Sequence, residues 1–220
     1  MMSKFRPLVL VLILGGVWAL ADQYTKYLAV RDLTHLFTEE ASIGERLRLF
    51  YTTQDGPRGP GLYHLAKPSV EIIPGFWNHV YVQNPAGAFG LLSGAPQNVR
   101  RGIFTGVAIL ASIGILWMAT QSYGRGALLA RGCLGLVLGG AVGNLVDRLV
   151  HGYVIDFIDW YATIGDRSFH WPAFNLADVG IVVGVFGLLI MFNLHRAPEE
   201  QAGSSECQAA DAKEGAKSGG

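Results

Sequence analysis

The chain has 220 residues, room for one domain or one small membrane bundle. Half of it is hydrophobic and 15% is charged, against about a quarter for soluble domains, so an ordinary soluble protein is a poor fit. The formal net charge is zero, which leaves no case for a nucleic-acid partner. Cys133 lies in an apolar run and Cys207 in a polar tail, placed neither as zinc ligands nor as a disulfide framework.

In chain order, Lys4 and Arg6 precede an apolar run from Leu8 to Ala21. Its end, Ala19-Leu20-Ala21, also fits a cleaved signal peptide. Three further apolar segments favour a retained first span, about 7–29. Asp22 and Lys26 follow at i, i+4 spacing and share a helix face; taken alone they read as an exposed ion pair just past the membrane. Residues 31–99 are mixed. Gln54 to Gly61 is a loop by its Gly/Pro content. Val70 to Val82 is β-branched and aromatic around Pro74-Gly75, and predicts short strands on the membrane surface. Phe76, Trp77 and Tyr81 suit either the headgroup level or a small extramembrane core. Asn84 to Gly90 is, by itself, a turn containing an asparagine.

The second span falls at about 102–120, long enough for a hydrocarbon core of roughly 30 Å. The third, about 132–150, carries Gly135, Gly139 and Gly143 at four-residue spacing, a face for tight helix contact. Residues 151–173 predict a second extramembrane loop with Asp156, Asp159, Asp166, Trp160 and Trp171. The fourth span is about 174–194, stopped by His195 and Arg196. The tail 197–220 is too polar to bury a core and predicts a disordered cytoplasmic segment. The expected fold class is therefore an all-α integral membrane domain over 1–196, with four transmembrane helices. A β/loop insertion at 31–99 forms a small extramembrane sheet on the periplasmic side.

Four spans put both termini on one side. Lys4, Arg6, Arg125, Arg131 and Arg196 on that side make it cytoplasmic by the positive-inside rule. Asp22, Lys26, Asn84, Asp147, Asp156 and Asp178 then converge on the outer face, at the ends of segments that alternate in direction.

Gly140, Asn144, Asp147 and Arg148 fall at i, i+4, i+7 and i+8, one helix face. Asp147 and Arg148 diverge by about 100°, so Arg148 is expected to pair with another carboxylate, with substrate backbone or with a lipid headgroup, or to snorkel. Asp156 and Asp178 are the expected catalytic pair. Two carboxylates held close cannot both ionise easily, so together they share one proton, and one can deprotonate water while the other protonates a carbonyl oxygen or a leaving amine. Asn175, three residues before Asp178, is placed to hold that carboxylate or a substrate peptide. No serine sits in a nucleophile elbow and no H-E-x-x-H occurs. A magnesium site from Asp147, Asp156, Asp159 and Asp178 would suit a phosphate substrate better. A proton-coupled transporter remains the rival reading, because buried acids also relay protons. A third reading, an assembly factor binding a partner helix through the glycine face, leaves Asp156 and Asp178 unexplained.

Four blocks resemble one family, the lipoprotein signal peptidases, also called signal peptidase II. Asp22-Gln23-Tyr24-Thr25-Lys26 resembles its D-Q-x-x-K block, and Asn84 to Gly90 its N-x-G-x-A-F-G loop. Gly139 to Asp156 resembles its G-G-A-x-G-N-x-x-D-R-x-x-x-G-x-V-x-D-F block, and Phe174 to Asp178 its F-N-x-A-D block. The resemblance implies a membrane aspartic endopeptidase that cleaves diacylglyceryl-modified bacterial prolipoproteins before the lipidated cysteine. Its expected setting is the cell inner membrane, with the active site at the periplasmic face. It implies that Asp156 and Asp178 are the catalytic dyad, and that Asp22, Lys26, Asn84, Gly140, Asn144, Asp147, Arg148, Asn175 and Ala177 support the site or contact substrate. No cofactor or metal is implied. The partners implied are the lipid-modified precursor, membrane lipids and globomycin-type cyclic peptide antibiotics. The chain departs from the pattern at Ala86, where the family has glycine, and in a 31–75 segment longer than the family's usual one.

Overall fold

The computed structural model describes residues 6–53, 65–85, 94–121 and 126–193. The Gly/Pro loop, most of the block after Asn84 (including Ala86), Arg125, His195, Arg196 and the polar tail lie outside the described residues. Among the described residues four helices are long and apolar enough to cross a membrane, Leu8–Leu33, Asn98–Ala119, Ala127–Val150 and Leu176–Asn193. The first lies within α1 (Arg6–Leu33) and the second within α3 (Gln97–Ala119); the third is α4 (Ala127–Val150). We label the fourth α5. A short helix, α2 (Ile43–Thr52), lies between α1 and the sheet.

Glycine sets how the helices pack. A Cβ added at Gly139 would fall 2.6 Å from the Gly15 carbonyl oxygen, and one at Gly135 would fall 2.8 Å from Leu14 Cβ. The predicted glycine face of α4 is thus occupied by α1, not left open for a partner helix. On another side of α4, a Cβ at Gly140 would run into the Ala177 carbonyl of α5. Val11, Ile115, Leu134 and Leu138 fill the space between α1, α3 and α4.

The sheet is antiparallel, in the order β1 (Val70–Ile73), β2 (Trp77–Asn84), β3 (Val154–Ile164), β4 (Arg167–His170). The β1–β2 turn sits at the expected Pro74-Gly75, with Gly75 at φ 76°. The expectation of a loop over 151–173 is corrected: most of it is the β3–β4 hairpin. Ile164 pairs with Arg167, leaving Gly165-Asp166 as a two-residue turn with Gly165 at φ 61°, which is strong hairpin chemistry. An all-α label is therefore too narrow, because four strands drawn from two separate segments build the extramembrane layer. The helix α2 was not expected either. Ser42 caps it by accepting from Glu45 N at 3.3 Å, half of a Ser-x-x-Glu capping box. Its Phe50 is buried in a core with Val30, Leu33, Tyr81, Tyr153 and Ile155. That core joins the end of α1, α2 and the sheet.

Candidate active site

The site forms where the ends of α1, α4 and α5 meet β2 and β3. Asp22, Lys26 and Asp147 are all fully buried. Lys26 Nζ lies 2.8 Å from Asp22 Oδ2 and 2.8 Å from Asp147 Oδ2, and donates to Asn144 Oδ1 at 3.0 Å. The exposed ion pair that Asp22 and Lys26 suggested on their own is thereby corrected. A second helix closes over them, and Gly143 lets it approach, since a Cβ there would meet the Asp22 carboxylate.

Each acid also satisfies backbone donors that helices and strands leave open. Asp22 Oδ1 accepts from Ala177 N in the first turn of α5 at 2.8 Å. Asp147 Oδ2 accepts from Ile155 N at 3.0 Å, which fixes the start of β3 one residue before Asp156. Gln23, which the sequence reading passed over inside the D-Q-x-x-K block, donates to Asp147 Oδ1 at 2.7 Å and to the Gly143 carbonyl at 3.2 Å. Trp18 donates to the Leu176 carbonyl at 3.2 Å and ties α1 to α5 one turn deeper.

Asp156 and Asp178 meet around Asn175. In the ladder Asn84 pairs with Val154. Side chains two apart on a strand share a face, so Asn84 and Asp156 point the same way, and Asn84 Nδ2 donates to Asp156 Oδ2 at 2.8 Å. Beyond β4 the chain returns through a bridge between Phe174 and Ile158, which sets Asn175 beside the same strand. Asn175 Nδ2 donates to Asp156 Oδ1 at 2.6 Å. Asn175 also caps α5. Its Oδ1 accepts from Asp178 N at 3.1 Å, and its own N donates back to Asp178 Oδ2 at 3.3 Å, a reciprocal capping box with aspartate in the usual glutamate place. Asn144 Nδ2 donates to Asp178 Oδ1 at 2.8 Å. Two asparagines on neighbouring elements thus hold the second acid, and one of them also holds the first. Burial, and after it the nearby Asp178 charge, pushes the Asp156 carboxyl up to about 7, although the hydrogen bonds from Asn84 and Asn175 pull it down.

Of the partners expected for Arg148, the structure does not supply a second carboxylate. Among the described residues Arg148 has no carboxylate within ion-pair distance. Its Nη1 donates to the Asn144 carbonyl at 3.0 Å, and its guanidinium lies 5.2 Å from the Phe104 ring centroid on α3. Asp159 is also apart from the acid pair, bonded to His170 and Asn78 on the sheet. A cleft of about 800 Å³ opens beside the two acids. Asn84, Asn144, Asp156 and Asp178 form its polar floor, and Trp160, Trp171, Val182 and Val183 line its apolar side. Val182 and Val183 are more than half exposed on α5, so the cleft is open on the helix face that a bilayer would cover.

Four membrane-length helices with a buried polar cluster at one end and a carboxylate-floored cleft define a multi-pass membrane protein with a hydrolase-like site. The signal peptidase (SPase) II family model matches residues 61–194. The lipoprotein signal peptidase of Anaeromyxobacter sp. (strain Fw109-5) is 39% identical over 216 residues, 93% of this chain and 96% of that protein. That of Syntrophus aciditrophicus (strain SB) is 37% identical, covering 84% of this chain and 92% of its own. A bacterial membrane enzyme solved by the in meso method at 2.3 Å resolution shares the fold, with a TM-score of 0.55 and 24% identity over 83% of this chain and 86% of that one. This chain belongs to the signal peptidase II family. The transporter reading finds no support in these relatives.

Proposed function

We propose that this chain removes signal peptides from diacylglyceryl-modified bacterial prolipoproteins as an aspartic endopeptidase, cutting just before the lipidated cysteine. Peptidase activity on prolipoproteins follows from the family; the catalytic type and the cleavage position are our reading. The observation that carries it is Asn175, which donates to Asp156 through its side chain and to Asp178 through its backbone. In this reading the pair holds one proton, resident on Asp156 in the free enzyme. Asp178 takes a proton from water as the water oxygen bonds to the scissile carbonyl carbon, and Asp156 gives its proton to the carbonyl oxygen. When the C–N bond breaks, Asp178 passes the proton taken from water to the leaving amine, and Asp156 takes one back from a hydroxyl of the tetrahedral intermediate, so the pair again holds one proton. Asn84, Asn144 and Asn175 orient the acids, and Asp22, Lys26, Asp147, Gly140 and Ala177 hold the helix ends and the strand that carry them.

Four spans with both termini cytoplasmic put the site at the periplasmic face of the inner membrane, with the sheet on that side. The membrane domain then runs over 1–196, and the 31–99 insertion and the 197–220 tail lie outside the bilayer. The cleft is open along α5, so a substrate tethered by acyl chains can enter sideways without leaving the lipid. Cyclic peptides of the globomycin type would compete for the same cleft. The decisive experiment compares Asp156→Asn and Asp178→Asn with the parent in a gel-shift assay on a diacylglyceryl-modified precursor. Loss of cleavage in both variants, with membrane insertion unchanged, is expected. Full activity in either variant overturns the dyad.

A further inference from the structure

The helix α2 divides into three faces at about 100° per residue. Arg46, Leu49 and Phe50 turn toward the protein. Phe50 is 1% exposed; it meets Tyr27 edge-on at 5.7 Å and His151 at 5.3 Å. Glu45, Arg48 and Thr52 form an exposed polar face. Between the two runs a third edge of Ile43, Leu47 and Tyr51, at i, i+4 and i+8, exposed by 75%, 42% and 42%. Tyr51 packs edge-on against its neighbour Phe50 at 4.8 Å, yet among the described residues all three large apolar side chains of this edge stay exposed in a row.

Its height in the molecule says what covers it. His151 is the residue directly after α4, and its Nδ1 lies 3.3 Å from the Thr53 carbonyl that ends α2. Burial, with the Asp147 charge next, raises the Tyr51 hydroxyl above its ordinary value, so that hydroxyl lies within electrostatic reach of the last turn of α4. The helix therefore sits level with the end of a spanning segment. Exposed Leu149 on α4 and exposed Tyr24 on α1 carry the bilayer-facing surface up to the same level. A helix with protein on one side, water on another and apolar side chains on the third, placed at that height, has the form of an interfacial helix.

We propose that α2 lies in the surface of the bilayer leaflet nearest the active site, with Ile43, Leu47 and Tyr51 in the headgroup–acyl boundary and Arg48 and Glu45 in water. The inference rests on the reading of α1, α3, α4 and α5 as membrane spans. Its consequence is that the 31–53 segment braces the acids. Phe50 locks α2 to His151 and Tyr153, which lead into the strand carrying Asp156, so the surface of the bilayer becomes a reference plane for that strand.

The test places a nitrobenzoxadiazole label on single cysteines in full-length protein with Cys133→Ala and Cys207→Ser. The protein is reconstituted in phosphatidylethanolamine–phosphatidylglycerol vesicles. Labels at Leu47→Cys and Ile43→Cys are expected to be blue-shifted and to lose most of their emission to a lipid carrying a doxyl group near the top of its acyl chain. A label at Glu45→Cys is expected to be quenched by aqueous iodide instead. Iodide quenching at Leu47 and Ile43 would place α2 in water. Insensitivity to both quenchers would mean a protein covers the edge, such as a second copy. Either result overturns the proposal. A label at Leu20→Cys, on the exposed side of α1, reports separately on the membrane reading, because lipid quenching lost there as well would mean the spans themselves are misassigned.

Discussion

Lys26 Nζ lies 2.8 Å from Asp147 Oδ2, a contact between α1 and α4 that no solvent reaches on either side. The same ammonium also neutralises Asp22. One cation therefore serves two buried acids, and those acids in turn hold Ala177 N and Ile155 N. Removing the cation leaves both carboxylates uncompensated. Breaking a buried pair in this way costs about 3–5 kcal/mol. Lys26→Met is thus expected to melt well below the parent in detergent and to lose cleavage. Asp147→Asn keeps the shape and is expected to be milder in stability, yet to lower kcat because one amide oxygen then replaces two carboxylate oxygens facing Ile155 N, Lys26 and Gln23, which loosens the start of β3. Thermal unfolding followed by intrinsic fluorescence, beside a precursor-cleavage assay, separates the two.

The pH dependence follows from Asp156. Its carboxyl is pushed up to about 7, and the reaction needs its proton, so kcat/KM is expected to fall as pH rises through about 7; the limb belongs to the acid pair rather than to one residue. The hydrogen bond from Asn84 lowers this value, so Asn84→Ala moves the limb to higher pH. A limb that moved to lower pH, or stayed fixed, would remove Asn84 from this role. Stability has the matching sign. The folded value lies above the unfolded one, near 3.9, so this group's contribution is fully favourable below about 4 and is lost as pH rises toward 7. Asp156→Asn is expected to flatten that decline in melting curves taken between those limits.

Much of the site could be read in advance because ionisable residues at the ends of apolar runs are costly and conspicuous. Asp22, Lys26, Asp147, Asp156 and Asp178 stand out on that ground, and the asparagines lie beside them. Burial of the Asp22–Lys26 pair could not be read, because it depends on α4 approaching through Gly143 and on Asp147 arriving with it. The partner of Arg148 was missed for a similar reason, since Phe104 belongs to a helix whose rotation only packing decides. The hairpin and α2 are different. Gly165-Asp166 between strand-like runs and Ser42-Ile-Gly-Glu45 before a mixed run are local signals, and charged residues nearby masked them.

The glycines give a prediction independent of the chemistry. A Cβ at Gly143 meets the Asp22 carboxylate and one at Gly140 meets the Ala177 carbonyl, whereas Gly106 and Gly114 on α3 face open space. Gly140→Ala and Gly143→Ala are expected to lower the melting temperature and activity together. Gly106→Ala is expected to be neutral or slightly stabilising, because alanine is favoured over glycine in a helix interior by roughly 1 kcal/mol. Equal effects at all three would mean that α4 does not approach its neighbours as closely as these contacts require.

Arg148 offers the clearest separation of binding from structure. It lines the cleft beside both acids, but its own contacts are the Asn144 carbonyl and the Phe104 ring. Its charge is not committed to a carboxylate among the described residues, so it is available to a substrate carbonyl or lipid phosphate. Arg148→Lys keeps the charge but loses the planar fork and its stacking on Phe104. It is expected to raise KM for the lipidated precursor with a smaller change in kcat. Arg148→Met loses the charge as well and is expected to raise KM further, with little change in melting temperature. A fall in kcat at unchanged KM in both variants would instead make Arg148 a group that positions the acids. In that case the effect would run through Asn144, whose carbonyl Arg148 holds and whose amide holds Asp178.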